Sequence, residues 1–255
     1  MRRSYLLLFT VLLCLTLALP SLAQMPSGKV CQIFVNVIKP GMANQYEAGR
    51  KKHMGWHGSQ KDAFTWYTWQ VLTGEGVGNY IVGTFGHEWK DFDGRDKFND
   101  ADATDAAASM GATEARSEQS YYLYRPDMSR ADSAAQGPAN MASVTFFHLK
   151  PEGVNDFTSG VIKVKDAQNK LNWPGHGEWY QLANGGEGPT FVLSQPRANF
   201  GDFQGPDKTL DALMEEAYGK EEGAATLAAL RKAIRFTYSE ALKFRPDLSY
   251  IPKSK

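Results

Sequence analysis

The chain has 255 residues, with 28 basic and 28 acidic side chains, five histidines and two cysteines. With no net charge, there is no electrostatic reason to expect nucleic acid or an anionic membrane as a partner. Two cysteines exclude a scaffold held by several disulfides, so stability must come from hydrophobic cores.

Arg2 and Arg3 precede an apolar run over residues 5–19, followed by Pro20-Ser21-Leu22-Ala23. A basic start, a short apolar stretch and small residues before the cut describe a cleaved secretory signal, so export to the periplasm or the extracellular space is expected. Thr10, Thr16 and Pro20 interrupt the run, which argues against a transmembrane anchor and leaves no membrane span after cleavage. The remainder carries 26 basic and 28 acidic groups and one thiol, Cys31, read as a small buried residue.

Residues 29–38 place Val30, Ile33, Val35 and Val37 near a period of two and predict a strand ended by Pro40-Gly41. Residues 42–57 space Tyr46, Met54 and Trp56 as a helix does. The aromatic and β-branched runs 64–72 and 79–85 flank a glycine-rich stretch and read as a hairpin. Residues 91–116 read as helix, broken near Gly111, and 120–124 as a strand stopped by Pro126. The same order then returns: strand 143–149, helix 154–171, strands 178–182 and 190–193 around a second glycine-rich turn, and helices 209–218 and 224–236.

Short motifs return with it. Lys39-Pro40-Gly41 is matched by Lys150-Pro151-Glu152-Gly153, Gly74-Glu75-Gly76 by Gly186-Glu187-Gly188, and Arg125-Pro126-Asp127 by Arg245-Pro246-Asp247. Solenoid units recur at about 20 to 50 residues, so this much longer spacing marks a whole domain copied once. The expected organisation is a signal peptide (1–23), a first repeat (24–128), a linker rich in Ala, Ser and Gly (129–140) and a second repeat (141–255).

Strand, helix, strand, strand, helix, strand is the split βαβ order, an antiparallel sheet with helices on one face. Its bare aromatic face must leave water, and a tandem copy supplies a matching face. The expected fold class is α+β, with two tandem βαββαβ ferredoxin-like repeats whose sheets pack into one pseudo-dimeric α/β barrel. A monomer follows from this, and a homodimer from the other arrangement, in which each repeat pairs with another molecule. On element order, duplication and the strand TWYTWQVL, the chain resembles the dimeric α/β-barrel superfamily, antibiotic-biosynthesis monooxygenase-like and NIPSNAP-like, as a tandem duplication. That resemblance implies a ligand inside the barrel or between sheet and helices. It also implies a choice among cofactor-independent oxygenases, haem-handling enzymes and proteins without a known reaction.

His148 lies on the strand parity of Val144 and Phe146, and a titratable ring among apolar neighbours is the catalytic candidate for moving a proton. Trp66, Trp69, Trp179 and Tyr180 are expected to wall a small hydrophobic or aromatic molecule, with Asn36 beside them and His57 at the cavity mouth. His53 and His57 stand one helical turn apart, but the sequence offers no evident third ligand and lacks HExxH, so no metal is expected. His87 and His176 read as loop residues at one sheet edge. The glycine-rich stretches precede no helix and are hairpin turns, not phosphate loops. Arg-Pro-Asp reads as scaffold, with the arginine pairing locally.

The expected function is therefore an exported small-molecule-binding barrel with oxygenase-like activity and no cofactor. The alternative is a non-catalytic structural or interaction module with a filled barrel, and a cavity of about 300 Å³ would favour the first. Haem binding follows only from the resemblance, and the long helical region of the second repeat offers no histidine as an axial ligand.

Overall fold

The computed structural model describes residues 29–132 and 137–252, so the segment read as a signal peptide lies outside the described residues, as do residues 133–136 of the linker. The first half comprises β1 (Val30–Ile38), α1 (Ala43–Ser59), β2 (Tyr67–Val71), β3 (Tyr80–His87), α2 (Asp96–Met110) and β4 (Glu114–Tyr124). The second comprises β5 (Met141–Leu149), α3 (Val154–Lys170), β6 (Glu178–Asn184), β7 (Thr190–Arg197), α4 (Leu210–Tyr218), α5 (Lys220–Ala233) and β8 (Ile234–Phe244). No helix among the described residues is long and apolar enough to cross a membrane.

Two boundaries differ from the sequence reading for one reason. Residues 114–116 and 234–236 were expected to be helical, yet they open β4 and β8. Their side chains are largely exposed and carry no strand-like apolar alternation. Backbone pairing to the first strand of each half, β4 on β1 and β8 on β5, sets their conformation, so tertiary pairing overrides local preference.

The eight strands form a closed barrel in the order β1-β3-β2-β8-β5-β7-β6-β4, every neighbour antiparallel. The halves meet at two hydrogen-bonded seams. Trp69 to Val71 of β2 pair with Phe244 to Leu242 of β8, and Tyr122 to Tyr124 of β4 pair with Leu182 to Tyr180 of β6. Every strand has a neighbour on each side, while residues 114–120 of β4 and 234–240 of β8 pair through one edge only.

Strand alternation sends one set of side chains into the barrel and the other under the helices. The helix-facing sets form separate cores. Tyr46, Tyr80, Met110 and Leu248 pack under α1 and α2, while Phe157, Trp179, Phe191 and Leu230 pack around α3 and α5. Each helix pair comes close at a glycine. A Cβ on Gly49 would lie 2.2 Å from the Ser109 carbonyl oxygen of α2, and one on Gly160 would lie 2.9 Å from Leu230 Cδ1 of α5.

The Arg-Pro-Asp motifs clasp the seams. Arg125 holds Asp127 with two hydrogen bonds and donates across the seam to Gln181 Oε1 at 2.8 Å, while its backbone N–H reaches the Trp179 carbonyl. Arg245 repeats this with Asp247, Gln70 and the Thr68 carbonyl, and adds Glu47 of α1. Ser129 and Arg130, read from the sequence as linker, are fixed onto the second half: Ser129 Oγ accepts from the Trp179 N–H, and Arg130 exchanges backbone bonds with Gly177.

Because Arg245 engages two carboxylates and Arg125 only one, their removal should differ in cost. Arg245→Ala is expected to lose about 2–3 kcal/mol in urea unfolding, and Arg125→Ala measurably less.

Candidate functional site

The barrel interior is not filled. It encloses a cavity of about 210 Å³, lined on the first half by residues including Ile33, Tyr67, Trp69, Ile81, Phe85 and Tyr122, and on the second by Val144, Phe146, Tyr180, Val192 and Leu242. Asp132, Pro138, Ala139 and His176 line it where the linker crosses. The volume falls short of about 300 Å³, yet it exceeds the roughly 150 Å³ that suffices for a benzene-sized guest.

Two polar groups of this wall are adjacent. Glu178 and Tyr180 stand two apart on β6, and the Tyr180 hydroxyl donates to Glu178 Oε2 at 3.0 Å. Burial raises the pKa of Glu178 above the usual carboxylate value, with the Tyr180 hydrogen bond opposing, and burial together with Glu178 raises that of Tyr180 well above the ordinary phenol value. Burial also pushes the Cys31 thiol up to about 12, so this residue is an inert part of the wall. His176 Nδ1 is buried with no hydrogen-bond partner among the described residues.

The residues singled out from the sequence divide between the two faces of the sheet. Trp69 and Tyr180 line the cavity. Trp66, Trp179 and Asn36 do not, because strand alternation turns them outward: Trp66 packs with Phe64 and Met54, Trp179 with Phe157 and Met128, and Asn36 donates to the Tyr46 hydroxyl at 2.9 Å. His148 has the inward parity but sits beyond the cavity lining. It stacks on Phe236 at 4.2 Å, hydrogen-bonds Thr190 at 3.0 Å and is separated from the cavity by the stacked Phe146 and Tyr238. Burial holds its pKa below the ordinary histidine value. His87, expected in a loop, ends β3 and stacks on Phe64 at 3.9 Å.

His57 does not reach the cavity mouth. It lies in the outer layer between α1 and α2, with Nδ1 2.9 Å from Asp62 Oδ2 and Nε2 3.2 Å from Asp102 Oδ1. Burial acts to lower its pKa, and the two carboxylates outweigh that and raise it.

Glu178, His176 and Phe85 escaped the sequence reading of the site, whereas Tyr67, grouped from the sequence with Trp69 on one strand face, lines the cavity beside it. Alternation through Tyr180 would have reached Glu178. For His176 no local signal exists: it lies in the turn before β6, where Arg130 pairs with the neighbouring Gly177.

No family model matches this sequence, and no curated protein matches it. Among solved structures the chain is similar to a proposed monooxygenase from Lactobacillus acidophilus, with a TM-score of 0.53 and 11% identity over 89% of this chain and 98% of that one. It is similar to an anthrone oxidase-like protein, with a TM-score of 0.53 and 12% identity over 88% and 93% of the two chains. A proposed monooxygenase from Fusobacterium nucleatum gives a TM-score of 0.55 and 11% identity over 86% and 93%. At this identity the likeness is one of fold.

Burying an ionised carboxylate opposes folding. A carboxyl group whose folded pKa lies above its unfolded value stabilises the protein when protonated and loses that contribution as pH rises through the folded pKa. Glu178→Gln should therefore raise the thermal midpoint at pH 7 to 8, and the gain should vanish below about pH 4 in calorimetry.

Proposed function

We propose that this protein is an exported barrel that binds a compact aromatic molecule of one or two rings, with a hydroxyl or carbonyl directed at Glu178 and Tyr180. One observation carries the reading: an apolar, aromatic cavity whose wall holds an adjacent carboxyl and phenol. Apolar walls with a few placed polar groups are what small-molecule sites share. Export rests on the pattern of residues 1–23, and descent of the two halves from one duplicated domain rests on the repeated motifs.

The finer reading is cofactor-independent, oxygenase-like chemistry, supported by the names of the fold neighbours. In it, Glu178 takes a proton from a ligand hydroxyl or an acidic C–H, and the Tyr180 hydroxyl stabilises the anion that then meets dioxygen. The base role passes from His148 to Glu178 because His148 lies beyond Phe146 and Tyr238. The non-catalytic alternative keeps one observation in its favour, a cavity below about 300 Å³.

Titration with 2-naphthol, followed by tryptophan fluorescence and calorimetry, tests the binding step. One-to-one binding is expected in the wild type. A loss of roughly tenfold in affinity is expected for Glu178→Gln, since a hydrogen bond to a charged group contributes about 1.5–3 kcal/mol. His148→Ala should bind as the wild type does. Absence of binding by any one- or two-ring phenol would establish the non-catalytic alternative, and oxygen uptake with bound phenols separates binding from turnover.

A further inference from the structure

Outside the barrel, between α1 and α2, three side chains converge in a way that the cavity does not use. His53 and His57, one turn apart on α1, both direct Nε2 toward Asp102 of α2, at 3.1 and 3.2 Å from its Oδ1. All three donor atoms lie within 4.8 Å of one another. The histidine side chains are 4% and 2% exposed, while that of Asp102 is 27% exposed.

The other ring nitrogens are already engaged. His53 Nδ1 lies 2.8 Å from Asp105 Oδ1, and His57 Nδ1 lies 2.9 Å from Asp62 Oδ2. Asp62 is itself fixed by the Trp66 indole at 2.9 Å, the Phe64 N–H at 3.1 Å and Arg95 at 3.0 Å. An Nδ1–H donated to a carboxylate sets the tautomer and leaves the Nε2 lone pair facing outward from each ring. Two lone pairs and a carboxylate oxygen therefore meet. Although Asp102 Oδ1 is close to both rings, it is buried and accepts no hydrogen bond of normal geometry among the described residues.

We propose that His53, His57 and Asp102 bind a divalent transition metal ion, each histidine oriented from behind by a carboxylate. Two imidazoles and one carboxylate suit zinc, iron(II) or cobalt(II), whereas calcium and magnesium prefer oxygen ligands throughout. A tetrahedral ion with bonds of about 2.0–2.1 Å holds its ligand atoms roughly 3.3–3.4 Å apart, so the two spacings to Asp102 Oδ1 need shift by only a few tenths of an ångström, and the two imidazole nitrogens already lie within 4.8 Å of each other. The charge balance agrees. Asp62, Asp102, Asp105 and Glu114 supply four carboxylates around the pair, against the guanidinium groups of Arg50 and Arg95. The exposed part of Asp102 gives a route in from solvent and room for further ligands.

The pair is specific to the first half. Gly160 stands 111 positions after Gly49, at the same close approach between helices, and that register puts Val164 and Gln168 of α3 at the positions of His53 and His57. The site is thus an addition to the shared scaffold, not part of it, and its occupancy is independent of any ligand in the barrel.

The test uses protein freed of metal by chelation and then titrated with cobalt(II), followed by visible absorption, and with zinc(II), followed by calorimetry and thermal unfolding. One equivalent should bind, producing cobalt d–d bands and raising the thermal midpoint. His53→Gln and Asp102→Asn should abolish the bands. Asp105→Asn, which loosens only the orienting contact, should weaken binding by tenfold to a hundredfold. If either ligand variant fails to fold, the wild-type stoichiometry and Asp105→Asn still decide the question. Absence of cobalt bands and zinc heat in the wild type overturns the proposal, as does unchanged binding in the folded variants.

Discussion

Edge-to-edge pairing of β2 with β8 and of β4 with β6 is the constraint on which the rest depends. Each half alone would expose two strand edges and a face of large rings. Joining both edges turns those faces inward together, and it is this that creates an interior. Arg125 and Arg245 then hold the seams from outside, each tying a turn of one half to a strand of the other. Those turns follow the last strand of their own half, so each half is held to the other just past its final strand.

The same alternation divides the chemistry. Inward positions make a largely apolar chamber in which Glu178 and Tyr180 stand side by side. Outward positions make the layers in which helices dock, and there the first half carries polar groups that the second lacks: Asn36, Arg50, His53, His57 and Asp62 are all buried. A buried histidine needs a partner, and in this layer carboxylates from α2 and from the turn after α1 provide it. The two regions lie on opposite sides of one sheet, so each can act without the other.

Much of the fold was legible in the sequence because period and punctuation carry it. The hairpins were marked by their glycines, β1 and β5 by alternation, and α3 by its spacing. The first turns of β4 and β8 were not, since residues such as Arg116, Glu118 and Thr237 look helical or neutral until the neighbouring strand supplies hydrogen bonds. Of the site residues, Trp69 and Tyr180 line the chamber, while Trp66 and Trp179, one position away from inward neighbours, face the helices. A shift of one residue along a strand changes the face, and an aromatic run such as TWYTWQVL carries rings on both.

The sequence by itself determined much of the element order and the stock of titratable groups, because these follow from local periodicity and composition. Which groups meet was decided only by the tertiary structure. Asp102 reaches His53 and His57 because Gly49 lets α2 lie against α1, and Glu178 enters the chamber because β6 pairs with β4. Both are contacts between residues far apart in the chain, and nothing in the local chemistry of either partner announces the other.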